Sequence, residues 1–363
     1  MKLMLFEWKK IWKNKFFVIG IIIIYVINIA FIFLPFMKDH ANNAAYNEQN
    51  KYYIHEISGT LDAHTFDKVN ELKRSVEDLE HRAMLNQLET ILQEDLTYHA
   101  EVTSMKEKVK ENIEYFEQQG NLKQLAIQKR LLQTYEPMKI SNVQYHKGWD
   151  VLFKSQISSV LIVLIIAIVV PFLWVNEYDS EMLPLLYSTM NGKRSIEKSK
   201  FMFTIALTAG ITLLFSLTDL ILTLSLYGFD GALAPIYMNE TYRYATMSVT
   251  MLGFYLNQLL FKIVAVVVIS VGILLFTKKL SNKAVAMMFS LSSLGGLLLL
   301  GEAGFRTWNP ISLLYLYQSV NEYQFTVFFG KAFYSYEITL MLDAVLSIIL
   351  IARFMMVHRR RHI

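Results

Sequence analysis

Cysteine is absent from all 363 residues. Disulfides, thiol nucleophiles, cysteine-type zinc sites and iron–sulfur clusters are therefore excluded, and any exposed part of the chain must be held by packing. Charge is scarce too: Asp, Glu, Lys and Arg make up 18% of the chain, against roughly a quarter in soluble domains. A phosphate-cradling loop is also missing. Gly192 and Lys193 invite that reading, but Tyr187 stands where the earlier glycine belongs and Arg194 where Ser or Thr must follow. Six histidines crowd residues 38–150 (His40, His55, His64, His81, His99 and His146) without metal-ligand spacing. His55 and Glu56 begin an H-E-x-x-H pattern, but Gly59 takes the second ligand position. No catalytic residue, metal site or bound cofactor is expected in this chain, and no nucleic-acid partner.

What the sequence has is apolar length. Hydrophobic residues reach 54%, with 24 Phe, 20 Tyr and 17 Met, the composition of helices packed in a bilayer with aromatic belts at its edges. Runs long enough to cross about 30 Å of hydrocarbon occur at residues 16–36, 153–175, 202–227, 256–276, 284–301 and 336–357. Lys2, Lys9, Lys10, Lys13 and Lys15 precede the first; Lys193, Arg194, Lys198 and Lys200 follow the second. Lys278, Lys279 and Lys283 follow the fourth, and Arg353, Arg359, Arg360 and Arg361 close the chain. Every second connection is basic, so the positive-inside rule puts both termini in the cytoplasm. The expectation is an all-α integral membrane protein with six transmembrane helices, N-in and C-in, carrying an extracellular helical domain after the first helix. A cleaved signal sequence is the alternative for the first run, but signal cores are typically about 7 to 15 residues.

The expected segments are an interfacial helix over residues 1–15, a first span at 16–36, the extracellular domain at 37–152, a bundle at 153–357 and a basic tail at 358–363. In the first segment Met4, Leu5, Trp8, Ile11, Trp12 and Phe16 recur at helical spacing while most lysines lie off that face, as in a helix resting on the inner leaflet. The domain has an acidic excess of about five residues over 38–150, whereas the rest of the chain is basic. Val69, Leu72, Val76, Leu79, Leu85, Leu88 and Leu92 recur at helical steps, as do Met105, Val109, Ile113 and Phe116. After Gly120 and Asn121 a further set follows, Leu122, Leu125, Leu131 and Leu132. These predict amphipathic helices in a hairpin or small bundle.

The connection between the second and third runs, residues 177–201, carries a resemblance. Glu177 and Glu181 lie at the membrane exit, followed by Leu185 and Leu186, Ser188 and Thr189, Gly192 with Arg194, and Lys198 or Lys200 entering the next run. This pattern resembles the first cytoplasmic loop of ABC-2 type transporter permeases, and the order of elements resembles the branch with an extracellular domain between its first and second spans. Met182 departs from it, standing where many members have glycine. The resemblance implies a coupling helix docking on a separate ABC ATPase that binds ATP and Mg, a second permease subunit, identical or not, and a multi-pass place in a bacterial plasma membrane. Independently, Leu185 and Leu186 beside Pro184 and mixed charges suit an apolar anchor with a polar rim.

Two further features stand out. Asp219, Lys262 and Asp343 fall inside apolar runs at similar depth, where such residues pair or face water. Glu302, Arg306, Trp308, Asn309 and Pro310 precede the stretch 311–317, too short to span and suited to a re-entrant or interfacial helix. The expected function is an exporter permease for an amphipathic substrate, plausibly a peptide or lipid-linked molecule. The alternative is a non-transporting sensor or scaffold whose outer domain binds a ligand.

Overall fold

A computed structural model describes residues 2–140, 142–179, 192–305, 309–315 and 320–357. Helix α1 (Lys2–Lys13) ends at Asn14, whose extended backbone breaks the helix and whose side-chain oxygen accepts from Phe17 N at 3.2 Å, restarting it as α2 (Lys15–Glu56). Next come β1 (Gly59–Thr60), α3 (Ala63–Ser75), α4 (Leu79–Gln118), α5 (Leu122–Tyr135) and β2 (Asn142–Val143), which pairs with β1. Helices α6 (Lys147–Lys154), α7 (Ile157–Asp179), α8 (Gly192–Tyr227), α9 (Met251–Thr277) and α10 (Lys283–Glu302) follow. The short α11 (Ile311–Leu314), the hairpin β3 (Phe325–Phe328) and β4 (Lys331–Tyr334), and α12 (Ser335–Val357) complete the described chain.

Six helices are long and apolar enough to cross a membrane, within α2, α6–α7, α8, α9, α10 and α12. The chain is a multi-pass all-α membrane protein. Alternating spans put α1, the start of α8 and the α9–α10 turn on one face, the terminal face. The α3–α5 domain, the α8–α9 connection and the β3–β4 hairpin share the other, the domain face.

Helix α7 is the hub, with Ile162, Ile165, Ile166, Ala167, Val169 and Val170 all buried. In lipid such burial gains no hydrophobic transfer energy, so close packing must hold the bundle. Helix α8 shows how. Thr204, Thr208 and Thr212 recur every fourth residue, are fully buried, and return their hydroxyls to the carbonyl four residues back at 2.9 Å. Small, internally satisfied side chains let α9 approach, and Thr208 meets Ser270 across the interface at 3.5 Å. By contrast α2 turns Ile19, Ile22, Ile23 and Val26 outward.

The first membrane helix does not stop at residue 36. It runs through Pro35, bends at Asn43, and supplies Tyr53 and Ile57 to the domain core of Val69, Met84, Leu85, Leu88, Leu92 and Val143. The first amphipathic stretch, Val69 to Leu92, is divided between α3 and α4 by an extended break at Val76, whereas its later part and the stretch Met105 to Phe116 form one helix of 40 residues, α4. It folds back on α5 through Gly120, in the left-handed region at φ 66, and Asn121, which caps α5. Leu79 and Leu122 belong to the expected apolar faces yet lie exposed, because each opens its helix, ahead of the packed turns. Further along α4, Tyr98 and Val102 join the core of the membrane bundle.

Candidate functional site

Glu181, Leu185, Leu186, Ser188 and Thr189 lie outside the described residues. Gly192 and Arg194 lie in the first turn of α8 and Glu177 in the last turn of α7, on backbone evidence alone. The base of this connection is described in detail. Glu197 is buried and accepts from Lys278 at 2.7 Å, tying α8 to the end of α9. Lys200, also buried, donates to the Leu173 carbonyl at 3.1 Å, so of the two lysines at the entry to the third run Lys200 is the one bound to α7; Lys198 is exposed. Both cations flank the Trp174 ring, at 5.4 and 5.6 Å from its centre. Glu197, Lys278 and Trp174 escape sequence reasoning because their partners lie on three helices.

Helix α1 packs across α8. Ile11 is buried, while Trp8 and Trp12 are substantially exposed, set edge-on at 5.9 Å, with Trp8 also edge-on to Phe203 at 6.3 Å. Apolar residues thus anchor α1 and leave two indole rings at the surface of the bundle, the placement an interfacial helix needs.

Within the spans, Asp219, Lys262 and Asp343 are all buried, at 7%, 5% and 3% exposure. They do not form one cluster. Asp219 Oδ1 accepts from Asn28 Nδ2 of α2 at 2.8 Å, and Lys262 acts on Asp219 electrostatically from α9. Tyr25 bonds Thr218 at 2.8 Å, and Tyr255 donates to the Ser216 carbonyl one turn away. Asp343 makes no hydrogen bond or ion pair with either Asp219 or Lys262, and among the described residues its buried Oδ2 has no hydrogen-bond partner. Asn28 is the missed member: an uncharged polar residue inside a long apolar run does not break the hydropathy signal.

On the domain face, the α3–α5 domain and the bundle are joined by charge. Arg243 donates to Asp95 at 2.6 Å and Arg130 to Glu337 at 2.5 Å, while Lys51 meets Asp230 at 2.8 Å. Burial lifts the Asp95 carboxyl above its ordinary pKa against the pull of Arg243, whereas the hydrogen bond from Lys51 lowers that of Asp230. The helix junction also needs Gly148, where a Cβ would stand 2.3 Å from the Gly228 carbonyl oxygen. Of the histidines, His99 Nε2 contacts the Ile140 backbone and His146 lies 3.5 Å from Asp150. Among the described residues, no group of three His, Asp or Glu side chains is arranged to hold a metal. After α10, Asn309 is buried, donating to the Leu297 carbonyl at 2.6 Å and accepting from Ile311 N, and it starts the four-residue α11. Arg306, Trp308 and residues 316–319 lie outside the described residues.

Fold and junctions together define a polytopic helical membrane protein with a helical domain anchored to one end of its bundle. Comparison with known protein families, curated proteins and solved structures found no match.

Proposed function

We propose that this chain is the membrane-spanning permease subunit of an ABC exporter, working with a separate ATPase that binds ATP and Mg and with a second permease subunit. The domain face lies outside a bacterial plasma membrane, and the cargo is amphipathic. The observation that carries the reading is the α7–α8 connection: the run from Glu177 to Lys200 has the acidic exit, leucine pair and Gly-x-Arg of an ABC-2 coupling loop. The clamp at its base supports it. A docking element transmits force only if its ends are fixed to the spans, and Glu197–Lys278 and Lys200–Leu173 fix them. Replacing Leu185 and Leu186 together by Asp puts two charges where an apolar anchor must enter a groove. The expected outcome is loss of the co-purifying ATPase with an unchanged melting profile; retention of the ATPase overturns the reading.

A further inference from the structure

A cavity of about 930 Å³ opens on the domain face between α5, α9, the β3–β4 hairpin and α12. We propose that it binds an anionic amphiphile, a phosphate or carboxylate head with an apolar tail. The upper wall carries Lys129, Arg130 and Lys331 against a single carboxylate, Glu337. Lys129 is held only weakly by Glu117 at 3.8 Å, since both side chains are more than half exposed. Arg130 engages Glu337 and lies over the Tyr334 ring, yet its buried Nε has no acceptor among the described residues. A buried donor left open is costly unless something completes it.

The lower wall is apolar, made by Phe261, Leu340 and Met341. Leu340 and Met341 stand five and six residues into α12, about 8 to 9 Å along the span from its start. The cavity therefore runs from a cationic rim above the bundle to an apolar floor at membrane depth. Met341 is 53% exposed on the flank of a spanning helix, so the floor is open toward lipid. The hairpin tip agrees. Phe329, adjoining the lining Gly330, is wholly exposed, a position tolerable for a large ring when the bilayer surface is its solvent. The volume lies within the range of sites that enclose small ligands, roughly 300 to 1,000 Å³. A charged head at one end and acyl carbons at the other match both walls; a free anion would leave the floor empty.

That the ligand is cargo rests on the permease reading, but its binding does not, so the test uses the intact chain in nanodiscs without any ATPase. A photo-crosslinking benzoylphenylalanine replaces Met341, in phosphatidylcholine doped with phosphatidylglycerol, and lipid adducts are weighed by mass spectrometry. The expected result is enrichment of the anionic lipid over its mole fraction, lost roughly tenfold or more in Lys129→Gln/Lys331→Gln, at about 1 kcal/mol per lysine at a membrane surface. Both lysines lie toward solvent, so folding should be unaffected, and Leu340→Trp, which fills the floor, should independently reduce the adduct. Added lysophosphatidylglycerol should compete and inorganic phosphate should not. Equal labelling by both lipids, indifference to the lysine changes, or competition by inorganic phosphate alone would each overturn the site.

Discussion

Lys262→Met isolates the energetics of the buried polar centre. It removes the cation acting on Asp219 and leaves a buried carboxylate that accepts from Asn28 Nδ2 at 2.8 Å, with the Ser158 hydroxyl beside it. Deleting one partner of a buried charge pair typically costs about 3 to 5 kcal/mol, most of it the desolvation of the charge left behind. Lys262 acts on Asp219 electrostatically without a direct ion pair, so the lower end of that range applies, about 3 kcal/mol. Adding Asp219→Asn removes the orphaned charge and keeps an oxygen that Asn28 can reach. The double variant should then be more stable than Lys262→Met by about 2 kcal/mol, a coupling measurable by thermal unfolding in one detergent. Asp343→Asn supplies the control. It shares no hydrogen bond or ion pair with either residue of the pair, so its effect should add to that of Lys262→Met. Strict additivity between Lys262 and Asp219, or strong coupling of Lys262 to Asp343, would refute this partition.

Arg243→Met should cost about 3 kcal/mol, since the Arg243–Asp95 pair is largely buried, with side-chain exposures of 19% and 11%. Burial already raises the Asp95 pKa, and losing the guanidinium raises it further; the penalty is full above the folded pKa and relieved as pH falls through it. The deficit of this variant relative to the parent protein should thus shrink from pH 7.5 to pH 5, and a pH-independent loss would exclude Asp95 as its cause. At the hairpin tip, Phe329 and Gly330 form the two-residue turn, with φ 48 and 74. Such turns favour Asn-Gly, and a left-handed non-glycine residue costs about 1 to 2 kcal/mol. Phe329→Asn should slow hydrogen exchange of the β3–β4 amides in detergent; faster exchange would show that the ring, not the backbone, sets the hairpin's stability.

The spans were legible because hydrocarbon thickness imposes a length that composition reports directly. The expected runs at 256–276, 284–301 and 336–357 lie within α9, α10 and α12. The domain was legible in period but not in continuity: a stripe weakened between Leu92 and Met105 suggests two helices, yet Asp95, Tyr98 and Val102 fill that interval as buried residues of one helix. Its partners there are Arg243 and Tyr244 from the α8–α9 connection, so no local pattern marks the interval as packed. The same limit applies to the polar centre. Depth placed Asp219, Lys262 and Asp343 together, but rotation about each helix axis decides contact, and rotation brings Asn28 rather than Asp343 to Asp219.

Continuity of α2 constrains how the domain can respond to events on the terminal face. The helix leaves Asn14 at the elbow with α1, contributes Asn28 to the polar centre, and ends in the domain core at Tyr53 and Ile57. A rod of 42 residues spans about 63 Å at 1.5 Å per residue, less whatever the bend removes. Were it straight and rigid, a tilt at one end would swing the whole domain. Two positions weaken it: Pro35, which deletes a helical hydrogen bond, and Asn43, whose backbone leaves the helical region at φ −132 and ψ 16. Both lie beyond Asn28 on the domain side. On either side of the bend, Asp39 and Asn47 both bind Lys147 of α6, at 2.8 and 2.7 Å, and so fasten α2 to the start of the second span. Movement of α2 relative to α8 would therefore act first on the Tyr25–Thr218 and Asn28–Asp219 bonds, and would reach the domain only through a bent segment that Lys147 already holds to α6. The buried polar centre, rather than the domain core, is where such movement meets its first energetic barrier.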